Sequence, residues 1–233
     1  YFYPFTSCAE CGPRYSILQS LPFDRERTSF NKFKLCKVCE YEYKDQFNRR
    51  YHAQTISCAD CGPRLSLFKS ENGKLIKGAQ NQKEVLSIAA ELVRRGKILA
   101  VKAVGGFQLW VDARNDSTLK RLRELKMRRR KPFVLLVENQ CKALELAQLT
   151  EQEKALLDSP QNPIVICDRN ENSYRLSNEV CFSSRRLGLM LPASGTQILL
   201  ANKIQVPVVV TSLNHERDPI VYRDNDLESH CHY

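Results

Sequence analysis

The chain has few features that would place it in a membrane or an oxidised compartment. No apolar run approaches the roughly 20 residues a membrane helix needs, and no signal-peptide pattern opens the sequence. That excludes a membrane partner and points to a cytoplasmic protein. Histidine is scarce, with four residues, and His215, His230 and His232 crowd the C-terminal end. No Ser-His-Asp arrangement can be read, and no nucleophile or general base stands out, which favours substrate alignment and electrostatics over covalent catalysis. Acidic residues are also short: 26 Asp and Glu face 36 Lys and Arg, a net charge of +10. That balance calls for an anionic partner without choosing between nucleic acid, nucleotide and acidic protein.

What the sequence does have is ordered cysteine. Six of ten cysteines form Cys-x-x-Cys pairs, while Cys141, Cys167, Cys181 and Cys231 are scattered. Cys36/Cys39 and Cys58/Cys61 are separated by eighteen residues, and Gly62 follows as a knuckle glycine. This spacing lets four thiolates close around one Zn²⁺ at about 2.3 Å; the alternatives are unrelated thiol pairs or disulfides. His52 lies between the pairs, but four cysteines already complete the site. Arg49 and Arg50, in the same stretch, suit a phosphate, an acidic surface or plain solvation.

A repeat strengthens the metal reading. Shifting Tyr1–Ile17 by fifty residues lays Cys8/Cys11 on Cys58/Cys61, and Gly12-Pro13-Arg14 on Gly62-Pro63-Arg64. Fixed-period similarity marks duplicated units. The partner pair of Cys8/Cys11 would then fall before residue 1, so the chain is expected to begin inside a repeat, with half of a first finger and a complete second one. Residues 1–67 are loop-rich, and in such a segment metal-binding energy is folding energy.

Residues 68–82 are polar, hold Gly73 and Gly78, and read as a linker. Residues 83–233 then alternate helix and strand, an α/β domain with a twisted mixed sheet. Asn81 with Glu84 opens a helix carrying Val85, Ile88, Ala89, Leu92 and Val93 at helical spacing, and Gly96 stops it. A strand at Ile98–Val104 ends in Gly105-Gly106. A helix over Ser117–Arg129 turns Leu119, Leu122 and Leu125 inward and carries eight basic residues from Lys120 to Lys131, most of them expected to be a solvated face. Further strands are expected at Phe133–Val137, Ile164–Cys167, Leu187–Leu191 and Val206–Thr211. Helices are expected near 140–147, 151–158 and 197–201.

Lys126 and Arg128 stand apart from the other cations because a strand begins just after them, and ligands bind at strand ends in α/β sheets. Arg as a planar fork and Lys as a point charge can together grip a triphosphate. Lys102 offers a third cation beside Gly105 and Gly106, whose backbone admits an anion closely; the same dipeptide is equally the signature of a tight turn. Thr211-Ser212-Leu213-Asn214 closes a strand with hydrogen-bonding groups suited to phosphate or adenine, or to a turn cap.

With both halves read, the chain resembles the HypF family of carbamoyltransferases that mature [NiFe] hydrogenases. The resemblance runs over YPFTSCAECGPRYSI, NRRYHAQTISCADCGPRL, VKAVGGFQLWVDARN, LRELKMRRRKPF, LGLMLP and TSLNHERDPIVY. It implies a zinc-finger region followed by a YrdC-like nucleotide-binding domain. It implies zinc on Cys36, Cys39, Cys58 and Cys61, with Cys8 and Cys11 as half of the other finger. It also implies ATP, with Mg²⁺, as substrate. In the family, carbamate released from carbamoyl phosphate is adenylated, and the carbamoyl group passes to a cysteine of a HypE acceptor for cyanide-ligand synthesis. Lys126 and Arg128 match the family's Lys-x-Arg motif, Ser212 and Asn214 its Ser-x-Asn motif, and Lys102, Gly105 and Gly106 the strand end facing the same cleft. YrdC-like domains are also associated with double-stranded RNA, and a degenerate, inactive segment is the third reading. Leu213 stands where the family usually has Gly. Pro192–Gln197 departs from the family's Pro-Tyr-Thr-Pro-Leu-His, and Glu228–Tyr233 has no family counterpart. Nor do these residues include an acylphosphatase or a transfer domain.

Overall fold

A computed structural model describes residues 3–7, 14–71, 74–170, 175–215, 218–227 and 230. Among its described residues the N-terminal region contains one short α-helix, α1 (Lys37–Lys44), and two 3-10 turns at Arg25–Arg27 and Ser29–Lys32. The stretch expected as a linker holds a two-stranded antiparallel hairpin, β1 (Phe68–Glu71) and β2 (Lys74–Lys77), with Phe68 opposite Lys77. Both strands are almost wholly exposed, so they lack the buried alternation that reveals a strand.

From α2 (Gln82–Arg94) onward the chain builds a second unit. It runs β3 (Leu99–Ala103), β4 (Gly106–Asp112), α3 (Asp116–Leu125), β5 (Val134–Leu136), α4 (Gln140–Leu146), β6 (Ala147–Gln148) and α5 (Glu151–Leu157). It continues with β7 (Val165–Arg169), β8 (Arg186–Met190), α6 (Gly195–Ile204) and β9 (Val208–Ser212). Seven strands form one sheet in the order β3-β4-β9-β5-β8-β7-β6. The β5–β8 pair is parallel and the others antiparallel, so the sheet is mixed as expected.

Strand alternation explains why helices cover both faces. Leu109 and Val111 of β4, Leu135 of β5 and Val209 of β9 join one core with Leu119 and Leu122 of α3. The intervening Trp110, Leu136, Val208 and Val210 point the other way, into a core built from α2 and α6. The side chain of Asn81 accepts from the amides of Lys83 and Glu84 to start α2, and Gly96, at φ +72°, ends it.

Among the described residues, the finger region touches this unit through the following contacts. Leu65 and Leu67 pack against the α2–α6 core. The backbone of Pro4 lies against Gly195 at the start of α6, so close that a β-carbon there would meet the Pro4 carbonyl oxygen at 2.3 Å. Among the described residues no helix is long and apolar enough to cross a membrane.

Candidate functional site

Two sites emerge. In the finger region Cys36 is the N-cap of α1 and Cys39 lies in its first turn. Cys58 and Cys61 sit on the facing turn, which the Gly62 amide closes by donating to the Cys58 carbonyl at 2.8 Å. All four Sγ atoms lie within 4.8 Å of one another, with Cys58–Cys61 at 3.7 Å and Cys36–Cys58 at 3.8 Å. A tetrahedral ion with bonds of about 2.3 Å requires sulfur–sulfur edges of about 3.8 Å, so the donor set and its spacing fit zinc. None of the four is in a disulfide.

Arg25 braces this cluster, donating to the carbonyls of Gln54 at 2.9 Å, Ile56 at 2.7 Å and Phe33 at 2.9 Å. Arg50 pairs with Glu42 at 2.6 Å and donates to the Ser57 carbonyl at 2.9 Å, so it is a structural tie. The ring of His52 packs against Tyr43 and Tyr51, and His52 is not part of the sulfur cluster. Cys8 and Cys11 lie outside the described residues.

The second site forms where α3 ends beside the end of β9. Helix α3 stops at Leu125, four residues sooner than its pattern suggested. Lys126 is its C-cap, and Met127 turns into the left-handed region at φ +50°. This bend buries Lys126, whose Nζ donates to the carbonyl oxygens of Ser212 and Asn214, the latter at 2.6 Å. The Ser212 hydroxyl donates to Asn214 Oδ1 at 2.5 Å. Arg128 reaches Thr211 Oγ1 at 3.4 Å, donates to the carbonyls of Lys131 and Pro132, and stacks on Phe133 at 4.7 Å. Burial, reinforced by the Arg128 charge, lowers the Lys126 ammonium to a pKa of about 8. A shallow cleft beside it is lined by Leu109, Lys126, Leu213, Asn214, His215 and His230.

Lys126, Arg128, Ser212 and Asn214 are therefore neighbours, although 84 residues separate Arg128 from Ser212 in sequence (212 − 128). Lys102 takes a different course: it pairs with Asp224 at 2.5 Å and lies 5.3 Å from the centre of the Phe107 ring. Gly105 sits in the β3–β4 turn with open space where a side chain would go. Gly106, at φ +135°, admits the Val221 backbone, and a β-carbon there would meet its carbonyl oxygen at 2.7 Å. The close approach Gly106 permits is thus to the chain's own C-terminal segment. Leu213 is buried, donates its amide to Phe107 at 2.8 Å, and is not among the positive-φ residues, so this position does not demand glycine.

Sequence reasoning missed one member of this region. Arg123, placed on the solvated face, is only 7% exposed. It pairs with Glu179 at 3.1 Å, and its guanidinium lies between Phe133 at 4.4 Å and Phe182 at 4.3 Å. Its spacing of four from Leu119 was the available signal.

Known proteins match both regions of the chain. Residues 91–232 match the Sua5, YciO and YrdC family described as telomere recombination, and residues 1–18 and 35–68 match the HypF finger. Carbamoyltransferase HypF of Rhodobacter capsulatus is 39% identical over 224 residues, covering 96% of this chain and 29% of that protein. Two solved structures superpose over nearly the whole chain. T. kodakarensis HypF does so with TM-score 0.91 and 33% identity, covering 98% of this chain and 29% of the other. A full-length HypF in a phosphate- and nucleotide-bound form gives 0.87 and 34%, covering 97% and 28%. The chain spans less than a third of the length of these relatives.

Proposed function

We propose, for a chain that belongs to the Sua5/YciO/YrdC family and carries the HypF finger ahead of that domain, that it is the finger and carbamoyl-adenylating segment of a hydrogenase-maturation carbamoyltransferase. The observation that carries this reading is the convergence of Lys126 and Arg128 on the Ser212–Asn214 strand end. One of the HypF structures is nucleotide-bound, which supports nucleotide binding in this family, and the cations of this strand end are what suit ATP to it. Arg128 and Lys126 would hold phosphate oxygens, the first as a fork and the second as a buried point charge. Ser212 and Asn214 would orient the nucleotide through their polar side chains.

In the proposed reaction a carbamate oxygen attacks the α-phosphorus of ATP, forming the carbamoyl–phosphate bond of the adenylate as the bond to pyrophosphate breaks. Mg²⁺ accompanies the ATP as part of the substrate. The cations contribute by aligning the triphosphate and offsetting the charge on the leaving pyrophosphate. Carbamate would come from carbamoyl phosphate, and the product would pass to a HypE-type acceptor. Zinc, held by Cys36, Cys39, Cys58 and Cys61, would act as a structural cross-link and take no part in the chemistry. The 1–67 finger region and the nucleotide-binding domain from residue 83 remain the proposed units, with the hairpin at 68–77 between them.

Calorimetric titration of the chain with ATP tests the site, and carbamate-dependent ATP–pyrophosphate exchange tests the reaction. Absence of ATP binding removes this reading. Binding that instead follows double-stranded RNA, with steep salt dependence spread over Lys120, Arg121, Arg129 and Arg130, supports the nucleic-acid alternative.

A further inference from the structure

We propose that Arg123 is a positioning residue for this cleft, its guanidinium tying down the 126–132 turn so that Lys126 and Arg128 face the end of β9. The inference rests on the reading of the cleft given above. The turn leaves α3 through backbone bonds from Met127 to Glu124 and from Arg128 to Arg123, with Met127 in the left-handed region, and then runs to β5 without regular secondary structure. The Arg123 side chain adds ties further along the turn, from below. Its Nη1 donates to the carbonyls of Arg128 at 2.9 Å and Lys131 at 3.2 Å, at either end of the segment between the site cations and β5. Its Nε donates to the Glu179 carbonyl at 3.1 Å, and the Glu179 carboxylate offsets its charge. The flanking rings belong to Phe133, which opens toward β5, and Phe182, on the 176–184 loop.

One planar fork thus joins three segments, and one of them carries both site cations. Arg128 uses the other side of the same arrangement, bonding to Lys131 and Pro132 and lying over Phe133. A lysine at 123 is a single point charge on a flexible stem and cannot bridge these carbonyls in one plane. Stability alone is a poor account of a buried guanidinium–carboxylate pair, because exchanging both partners for well-packed apolar groups is often neutral or stabilising. Fixing the shape of the turn is what an apolar residue could not do.

The test uses the full chain with Arg123→Met and Arg123→Lys, and three readouts. These are denaturant unfolding, ATP affinity by calorimetry, and titration of the Lys126 amine by pH-dependent acylation read by mass spectrometry. Arg128, His215 and His230 are the other charged or titratable groups around Lys126 that the site places there, and they are unchanged in both variants. Both variants should lose stability, Arg123→Met the more because it leaves the Glu179 carboxylate without its partner, and should lose about tenfold or more in ATP affinity, as expected when a charge-assisted contact is misplaced. The Lys126 midpoint should rise from about 8 as the residue is freed from its buried position. Unchanged affinity together with an unchanged Lys126 midpoint overturns the proposal. Should Arg123→Met fail to fold, Phe182→Leu keeps the fork and loosens one ring, and the same two readouts apply. If the unmutated chain binds no ATP, the reading of the cleft fails, and the Lys126 titration alone decides whether Arg123 positions the turn.

Discussion

Replacing Lys126 with Met separates the stability of the fold from the chemistry of the cleft. Two effects on stability oppose each other. Holding the ammonium at a pKa of about 8 rather than 10.5 costs up to roughly 3 kcal/mol of protonated-state stability, at about 1.4 kcal/mol per unit. Methionine removes that cost but takes the donor away from the carbonyls of Ser212 and Asn214, which costs on the order of 1–3 kcal/mol. The two nearly offset, so the unfolding midpoint should barely move. ATP affinity has no such compensation: losing one charge-assisted phosphate contact, about 2 kcal/mol, weakens it about 30-fold. The pH dependence has a defined sign. The folded pKa lies below the unfolded one, so between about pH 8 and 10.5 the unfolded chain binds more protons and stability rises with pH. Over the same window the folded ammonium is lost, so ATP affinity should fall while stability rises. Calorimetry and denaturant titration at about pH 7.5 and about pH 9.5 check this, with Lys126→Met expected to show neither trend. Equal ATP affinity in the variant, or a flat wild-type profile across that window, would refute the role given to Lys126.

Other outcomes follow from the geometry. Zinc measured on the purified chain should reach at least one equivalent, and Cys39→Ser should lower it by about one and unfold the finger region, because metal binding supplies on the order of 10 kcal/mol of folding energy there. Gly195→Val should displace the 3–7 segment, since a β-carbon cannot share space with the Pro4 carbonyl; hydrogen exchange should quicken in that segment and thermal stability should drop. Leu213→Gly should destabilise the chain by about 2–5 kcal/mol, because it empties a buried site at a backbone conformation that gives glycine no advantage. A stabilised Leu213→Gly variant would contradict the packing described here.

Much of the α/β unit was legible because its apolar positions alternate. The expected strands at 98–104, 133–137, 187–191 and 206–211 correspond to β3, β5, β8 and β9, and the helices at 140–147 and 151–158 to α4 and α5, within a few residues. The hairpin at 68–77 escaped because exposed strands carry no burial pattern; Asn72-Gly73 between them was the only signal, a hairpin dipeptide read as linker composition. Helix α6 runs three residues past its expected end because Lys203 and Ile204 continue a pattern that closes only with Gln205 in the left-handed region. The four-cysteine cluster was the most legible part of all, since Cys-x-x-Cys spacing is a local geometric constraint that needs no tertiary context.

The cation site was harder because a charge run hides two kinds of residue. In α3 the apolar positions 119 and 122 define a buried stripe, and helical spacing extends it to 123 and 126. Lys120, Arg121 and Arg129 fall off that stripe and are exposed, whereas Arg123 and Lys126 lie on it and are buried. Reading the helix by charge assigns all of them to solvent; reading it by period separates them. Burial gives Arg123 its fixed aromatic slot and lowers the Lys126 pKa. The periodic stripe that packs α3 onto the sheet therefore also delivers a cation to the strand end, so core packing and the placing of Lys126 here share a single sequence pattern.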